Sequence, residues 1–172
     1  MDASSQFKDS LPTKPEALMA VLDDLAVDYK VFNHPPLRTV EDSKQLRGEM
    51  IGTHVKNLYL RDRKKRNFLL VTEEDRAIDL KNIQGDLGSD RLSFGSADRL
   101  FEMLGVRPGA VSPFTIINDP EHKVSLAIDT LLLRADMLYL HPLVNDMTLG
   151  VTPAGLLRFI GHVGHQVNEI DF

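Results

Sequence analysis

Two strand-like runs, Thr53–Leu60 and Asn67–Thr72, flank the charged stretch Arg61-Asp62-Arg63-Lys64-Lys65-Arg66, and this unit constrains the fold more than any other. Strand-forming residues on both sides of a short polar segment predict a β-hairpin with a solvated tip. A basic tip of this kind reads first as soluble surface and second as a contact for RNA.

The remaining pattern alternates helices and strands. Leu18, Val21, Leu22 and Leu25 recur at helical spacing between Lys14 and Ala26, with Pro15 in the first turn, where a missing N–H costs nothing. Asp28–Asn33 reads as a strand stopped by His34-Pro35-Pro36. Thr39, with Asp42 three residues on, forms an acidic variant of the capping box and predicts a helix that fades by Gly48. Further helices are expected at Asp79–Gln84 and Ser96–Leu104, the latter with Ser96 as N-cap and Gly105 as its stop. Strands are expected at Arg91–Phe94, Val124–Ile128, Met137–Leu140 and Met147–Val151. A last helix at Pro153–His162 precedes a strand at Val167–Ile170. Such intermingling predicts a mixed α/β (α+β) domain with a curved, barrel-like mixed sheet surrounded by helices. At 172 residues the chain fits one domain, residues 14–172, behind a flexible tail at residues 1–13.

Composition removes several chemistries. Without cysteine there is no disulfide, thiolate nucleophile or cysteine-ligated zinc. No run approaches the ~20 apolar residues of a membrane helix, and the polar start MDASSQFKDSLP lacks a signal-peptide core. A cytoplasmic location is expected, with no membrane partner. The net charge of −5 argues against broad affinity for DNA or RNA, which rests on many cation–phosphate contacts, but it permits a local basic patch.

The chain has no G-x-S-x-G elbow, Walker A loop, G-x-G-x-x-G fingerprint or H-E-x-x-H motif. His162 and His165, spaced H-x-x-H, sit at a helix end beside glycines and read as cap or surface histidines, so no metal and no cofactor are expected. Three weaker signals remain. Lys56 shares a strand face with Leu58 and Leu60, and if that face is buried its ammonium needs an anionic partner or a wet cavity. Between Gly105 and Pro113, two glycines and two prolines specify a rigid loop with little bulk, able to offer backbone N–H groups to an anion or a developing oxyanion. His141 and Asn145 follow a hydrophobic strand, suited either to hydrogen bonding a substrate or to an ordinary turn.

Taken in order, the segments His34-Pro35-Pro36-Leu37-Arg38-Thr39, Gly52-Thr53-His54-Val55-Lys56-Asn57, Arg91-Leu92-Ser93-Phe94, Gly109-Ala110-Val111-Ser112-Pro113, Ile117-Asn118-Asp119 and His141-Pro142-Leu143-Val144-Asn145 resemble the YbaK/prolyl-tRNA-synthetase-associated (INS-like) editing domains. The resemblance runs from about Lys14 to the C-terminus and is greatest to the freestanding deacylases of Ala-tRNA(Pro). It implies hydrolysis of the ester between a mischarged amino acid and the terminal adenosine of tRNA. Lys56 and the loop Gly109, Ala110, Val111, Ser112 and Pro113 are then the catalytic candidates. His34, Pro35, Thr39, Asn57, Arg91, His141 and Asn145 are the substrate-binding candidates. The helix from Thr39 to Arg47 is expected to border the pocket as a gate. The implied partners are the acceptor end of mischarged tRNA(Pro) and, as a further candidate, prolyl-tRNA synthetase, with the chain a monomer or weak dimer. Deacylation of Cys-tRNA(Pro) or of another small mischarged residue is the alternative within the class, and a noncatalytic RNA-binding or regulatory module is the alternative outside it. Asp146 and Met147 depart from the small residues or threonine that relatives tend to carry there, which would alter specificity if they faced the pocket.

Overall fold

The computed structural model describes residues 4–37, 39–46, 48 and 50–172. Within these residues eight strands form one sheet: β1 (Tyr29–Asn33), β2 (Thr53–Asp62), β3 (Asn67–Glu73), β4 (Leu92–Phe94), β5 (Val124–Asp129), β6 (Leu138–Leu140), β7 (Met147–Val151) and β8 (Val167–Ile170). Their order is β1-β7-β6-β2-β3-β5-β8, with β4 attached to β2, so the sheet is mixed and open, with β1 and β8 at its ends. Among the described residues five α-helices accompany it: α1 (Pro15–Asp24), α2 (Val40–Leu46), α3 (Ala97–Leu104), α4 (Thr130–Leu133) and α5 (Pro153–His162).

The hairpin at the centre is β2 paired antiparallel to β3, from Val55 opposite Glu73 to Arg61 opposite Asn67. Six of the seven residues of β3 are buried, because the strand is covered on both faces. Leu69 and Val71 join the main core with Leu18 and Leu22 of α1, Leu100 and Leu104 of α3, and Leu156 and Phe159 of α5. Phe68 and Leu70 face the other way, onto Ile83, Leu87, Leu92 and Ile170. Period-2 alternation thus sends one strand's side chains into two cores.

Local chemistry explains the helix ends. Thr39 and Asp42 form the reciprocal capping box, Asp42 N–H donating to Thr39 Oγ1 (3.1 Å) and Thr39 N–H to Asp42 Oδ2 (3.2 Å). Arg47, which closes the helix expected from Thr39, lies outside the described residues. Ser96 Oγ accepts from Arg99 N–H, and Gly105 ends α3 in the left-handed region at φ 68°. Three differences from the sequence reading stand out. The helix expected at Asp79–Gln84 is reduced to a 3-10 turn at Asn82–Gln84, because Asp79 bonds Lys81 N–H (2.9 Å) in a local turn that competes with the helix. Helix α4 and a 3-10 segment at Pro113–Asn118 are additional, each started by a side-chain cap, Asp129 and Ser112 respectively. The segment expected as a loose tail carries 3-10 turns at Ser4–Ser10 and buries Leu11. Arg107 stacks over the Phe7 ring at 4.4 Å, and Lys8 pairs with Asp146 at 2.9 Å.

The hairpin tip is closed by a buried carboxylate. Asp62 receives Arg66 N–H (2.9 Å), Arg66 Nε–H (2.8 Å) and Asp90 N–H (3.1 Å). Burial pushes the Asp62 carboxyl up, but these donors and the Arg66 charge outweigh it and hold the group below its ordinary value. Asp62 therefore contributes stability above the unfolded carboxylate pKa and loses it as pH falls through the folded one. Asp62→Ala should lower the unfolding free energy at pH 7 by about 2–4 kcal/mol, because three donors lose their acceptor. Urea denaturation checks this, and the deficit should shrink in acid.

Candidate active site

Strand β2 changes neighbours along one edge. Thr53 and His54 pair in parallel with Leu138 and Tyr139 of β6, whereas Leu60 to Asp62 pair antiparallel with β4, and Gly95 N–H donates to Tyr59 O at 2.9 Å. Between these stretches, Val55 to Leu58 have no strand partner on that edge among the described residues. A cavity of about 250 Å³ lies at the interruption, with Val55, Lys56 and Asn57 in its wall. Leu37, Thr39 and Met50 close it from the α2 side. Glu74 after β3, Gly109 and Val111, Tyr139 and His141, and Thr148 of β7 complete the lining.

Lys56 is half-buried, and its ammonium donates to the carbonyl of Arg76 in the turn after β3. Asn57 Oδ1 is buried and accepts no hydrogen bond from the described residues, an unmet demand within the wall. His54 is buried, stacked on Tyr139 with ring centroids 4.9 Å apart, and its Nε2 donates to Met50 O at 3.1 Å. The Tyr139 hydroxyl donates to Ile51 O at 2.8 Å. A Cβ at Gly52 would come within 2.9 Å of the Tyr139 ring, so only glycine lets the start of β2 pass so near.

His141 has a defined tautomer. Its Nδ1 meets the carbonyl of Met147 at 2.8 Å and must donate, which leaves Nε2 as a bare acceptor. Burial is the main cause that pushes its pKa down to about 4, the Met147 carbonyl opposing and His34, 5.9 Å away between ring centroids, assisting. The ring is therefore neutral at pH 7.

Across the cavity, Gly109 holds φ 92°, a value that a side chain rarely adopts. A Cβ there would meet nothing nearer than Leu37 O at 3.5 Å, so the backbone angle rather than crowding requires glycine. The N–H groups of Gly109 and Val111 bond to no other described residue. Ser112 fastens the loop to the end of β6 by donating to His141 O at 2.7 Å.

The structure thus brings together Lys56, Gly109, Val111, Thr39, Asn57 and His141 of the residues singled out from sequence. Ala110 and Ser112 are buried behind the loop, and Pro113 begins the 3-10 segment. Asn145 is buried as a clamp, its Nδ2 donating to Leu37 O (2.5 Å) while its own carbonyl accepts Leu37 N–H (2.8 Å). His34 stands behind the wall with Nε2 against Thr148 Oγ1 at 2.8 Å, and Pro35 is exposed. Arg91 is remote, its carbonyl accepting Arg63 N–H at the hairpin tip. Neither Asp146 nor Met147 lines the cavity: the Asp146 carboxylate turns to Lys8, and Met147 packs against the main core. Leu37, His54 and Val55 also line the wall, although within the quoted motifs their side chains carry no chemistry that singles them out, and Met50, Glu74, Tyr139 and Thr148 enter it through topology. Glu73, Glu74 and Asp75 place carboxylates within 4.8 Å of one another and form the one cation-type donor set among the described residues, with Lys44 already paired to Asp75.

The aminoacyl-tRNA editing domain model matches residues 34–159, which contain every lining residue of this cavity. The chain belongs to that family. A relative named prolyl-tRNA editing protein ProX, from Acetoanaerobium sticklandii, is 36% identical over 91% of this chain and 96% of its own. The zebrafish (Danio rerio) prolyl-tRNA synthetase associated domain-containing protein 1 is 34% identical over 88% of this chain and 83% of its own. More distant is the Escherichia coli multifunctional Ser/Thr-tRNA deacylase ProXp-y, 25% identical over 83% of this chain and 86% of its own. A crystal structure provisionally described as a trans-editing enzyme for prolyl tRNA synthetase shares the fold, with a TM-score of 0.66 at 20% identity over 90% of this chain and 94% of that one.

A desolvated neutral imidazole makes the editing domain acid-sensitive. Below the unfolded histidine pKa of about 6.5 the unfolded chain takes up a proton that folded His141 refuses until about pH 4. Stability should fall across that window, with a limiting slope of about 1.4 kcal/mol per pH unit for the one proton. NMR titration of the His141 ring should give a midpoint near the low value, and His141→Asn should remove this share of the slope.

Proposed function

We propose that this editing domain hydrolyses the ester of mischarged tRNA(Pro), with Ala-tRNA(Pro) as its preferred substrate. The observation that carries the reading is the convergence, around one small cavity, of a lysine, an unsatisfied amide oxygen, a neutral histidine and two uncommitted backbone N–H groups. An aminoacyl ester is already activated, so a positioned water and donors for the developing oxyanion suffice without a covalent nucleophile.

Lys56 anchors a phosphate or the ribose of the terminal adenosine. The bare Nε2 of His141 is an acceptor suited to the substrate's α-ammonium group, its ribose hydroxyl or the attacking water, and Asn57 Oδ1 becomes a second acceptor when its side chain turns from the wall into the cavity. The N–H groups of Gly109 and Val111 supply oxyanion donors, with the ribose hydroxyl of the substrate assisting the water. A cavity of about 250 Å³ is small for a ligand site. It suits a small side chain and turns away a bulkier one, the second sieve of editing. Arg63, Lys64, Lys65 and Arg91 are exposed together at the hairpin tip and offer the local basic patch through which an acidic chain grips RNA phosphates.

Purified protein given Ala-, Cys- and Ser-charged tRNA(Pro) should deacylate the alanyl species fastest. Lys56→Ala should lose about 100-fold or more in rate while keeping its circular dichroism spectrum. Full activity in that variant overturns the role of Lys56. Binding of every charged tRNA without hydrolysis replaces the enzyme with a binding module. The triple variant Arg63→Ala, Lys64→Ala, Lys65→Ala should flatten the dependence of log affinity on log salt by about 0.7–0.9 for each phosphate contact removed.

A further inference from the structure

The carbonyl that holds Lys56 is itself held. It belongs to Arg76, whose Nε lies 2.7 Å from Oδ2 of Asp129. Asp129 is the last residue of β5 and its side chain is only 1% exposed. The same Oδ2 accepts the hydroxyl of Thr72 at 2.9 Å, and Thr72 stands directly opposite Lys56 in the β2–β3 register. Oδ1 is engaged separately, capping α4 by accepting Leu131 N–H at 2.9 Å. The Arg76 guanidinium is finally covered by the Phe172 ring, 5.1 Å away.

The Arg76 Nε–H does not point along a good hydrogen-bond line to Asp129, so charge rather than direction makes this contact. A carboxylate this buried is stable only while its counter-charge stays put. The turn after β3 is thereby fixed at Arg76, and with it the carbonyl that meets the Lys56 ammonium. Without that anchor a four-carbon side chain with free rotamers would sample the cavity broadly.

We infer that Asp129 is a positioning residue that acts through Arg76 to set where Lys56 places its ammonium in the cavity. It touches no cavity space itself, being absent from the lining. The inference rests on the reading of Lys56 as the substrate anchor.

Asp129→Asn keeps an acceptor for Leu131 N–H and removes the charge that holds Arg76. In protein with isotope-labelled lysine, the Lys56 side-chain signal, assigned by its loss in Lys56→Met, should shift, while that of Lys30 on β1 stays. Binding of a tRNA(Pro) acceptor stem carrying alanine through a nonhydrolysable amide should weaken about tenfold in Asp129→Asn. In a Lys56→Met background the same change should weaken binding less than twofold, because the path runs through Lys56. An unmoved Lys56 signal overturns the inference, as does equal weakening in both backgrounds, which would make Asp129 a general support of the fold. If Asp129→Asn does not fold, the double variant Arg76→Gln, Asp129→Asn removes both charges together, should still shift the Lys56 signal, and overturns the inference if it does not. Unchanged binding in Lys56→Met alone would sink the reading of the site, while the lysine signal still decides the part played by Asp129.

Discussion

The backbone of β2 must satisfy its hydrogen bonds on two edges, and it does so unequally. One edge is paired throughout with β3, while the other passes from β6 to β4 and leaves Val55 to Leu58 between them. A sheet interior cannot leave such groups dry and unpaired without cost. The fold resolves this by placing a small polar cavity at the break. The continuous β3 edge is what makes the interruption tolerable, since it keeps the strand in register past the gap.

Polar groups around the cavity are restrained by neighbours that never enter it. Ser112 ties the glycine loop to the end of β6, Asn145 clamps the backbone of Leu37, and Met147 fixes the tautomer of His141. Each restraint uses a main-chain carbonyl, that of Met147 within β7, of His141 just after β6 and of Leu37 in the connection after β1. The wall therefore presents oriented dipoles in place of mobile charges, the arrangement that stabilises developing charge with little reorganisation.

The parts of this structure legible in the sequence were those with local causes. The Thr39–Asp42 box, the Ser96 cap with Gly105, and the hairpin around its charged tip each follow from residues within a few positions of one another. Lys56, Asn57, Thr39, Gly109, Val111 and His141 were visible because they lie in short ordered motifs. The others singled out with them show the limit of motif reading: Asn145 and Ser112 sit near the cavity as braces, and Arg91 lies at the far end of β2. Glu74, Tyr139 and Thr148 carry no local signal, because only the order of strands brings them together. Helix α4 was equally silent, its four residues being too few to show a period. The anchoring of the N-terminal segment depended on Asp146, more than a hundred residues away, and no local pattern reports such a contact.

The cavity owes its existence to strand order, while much of its lining comes from segments outside the strands. Leu37, Thr39, Met50, Gly109, Val111 and His141 all stand on connections or helix approaches. Substitutions at most of these positions can reshape the space without disturbing a single ladder pair. A scaffold divided in this way is evolvable: its frame can persist through duplication while its selectivity drifts. Relatives named for prolyl-tRNA editing and for Ser/Thr-tRNA deacylation, at 36% and 25% identity to one chain, are the kind of divergence such a division permits.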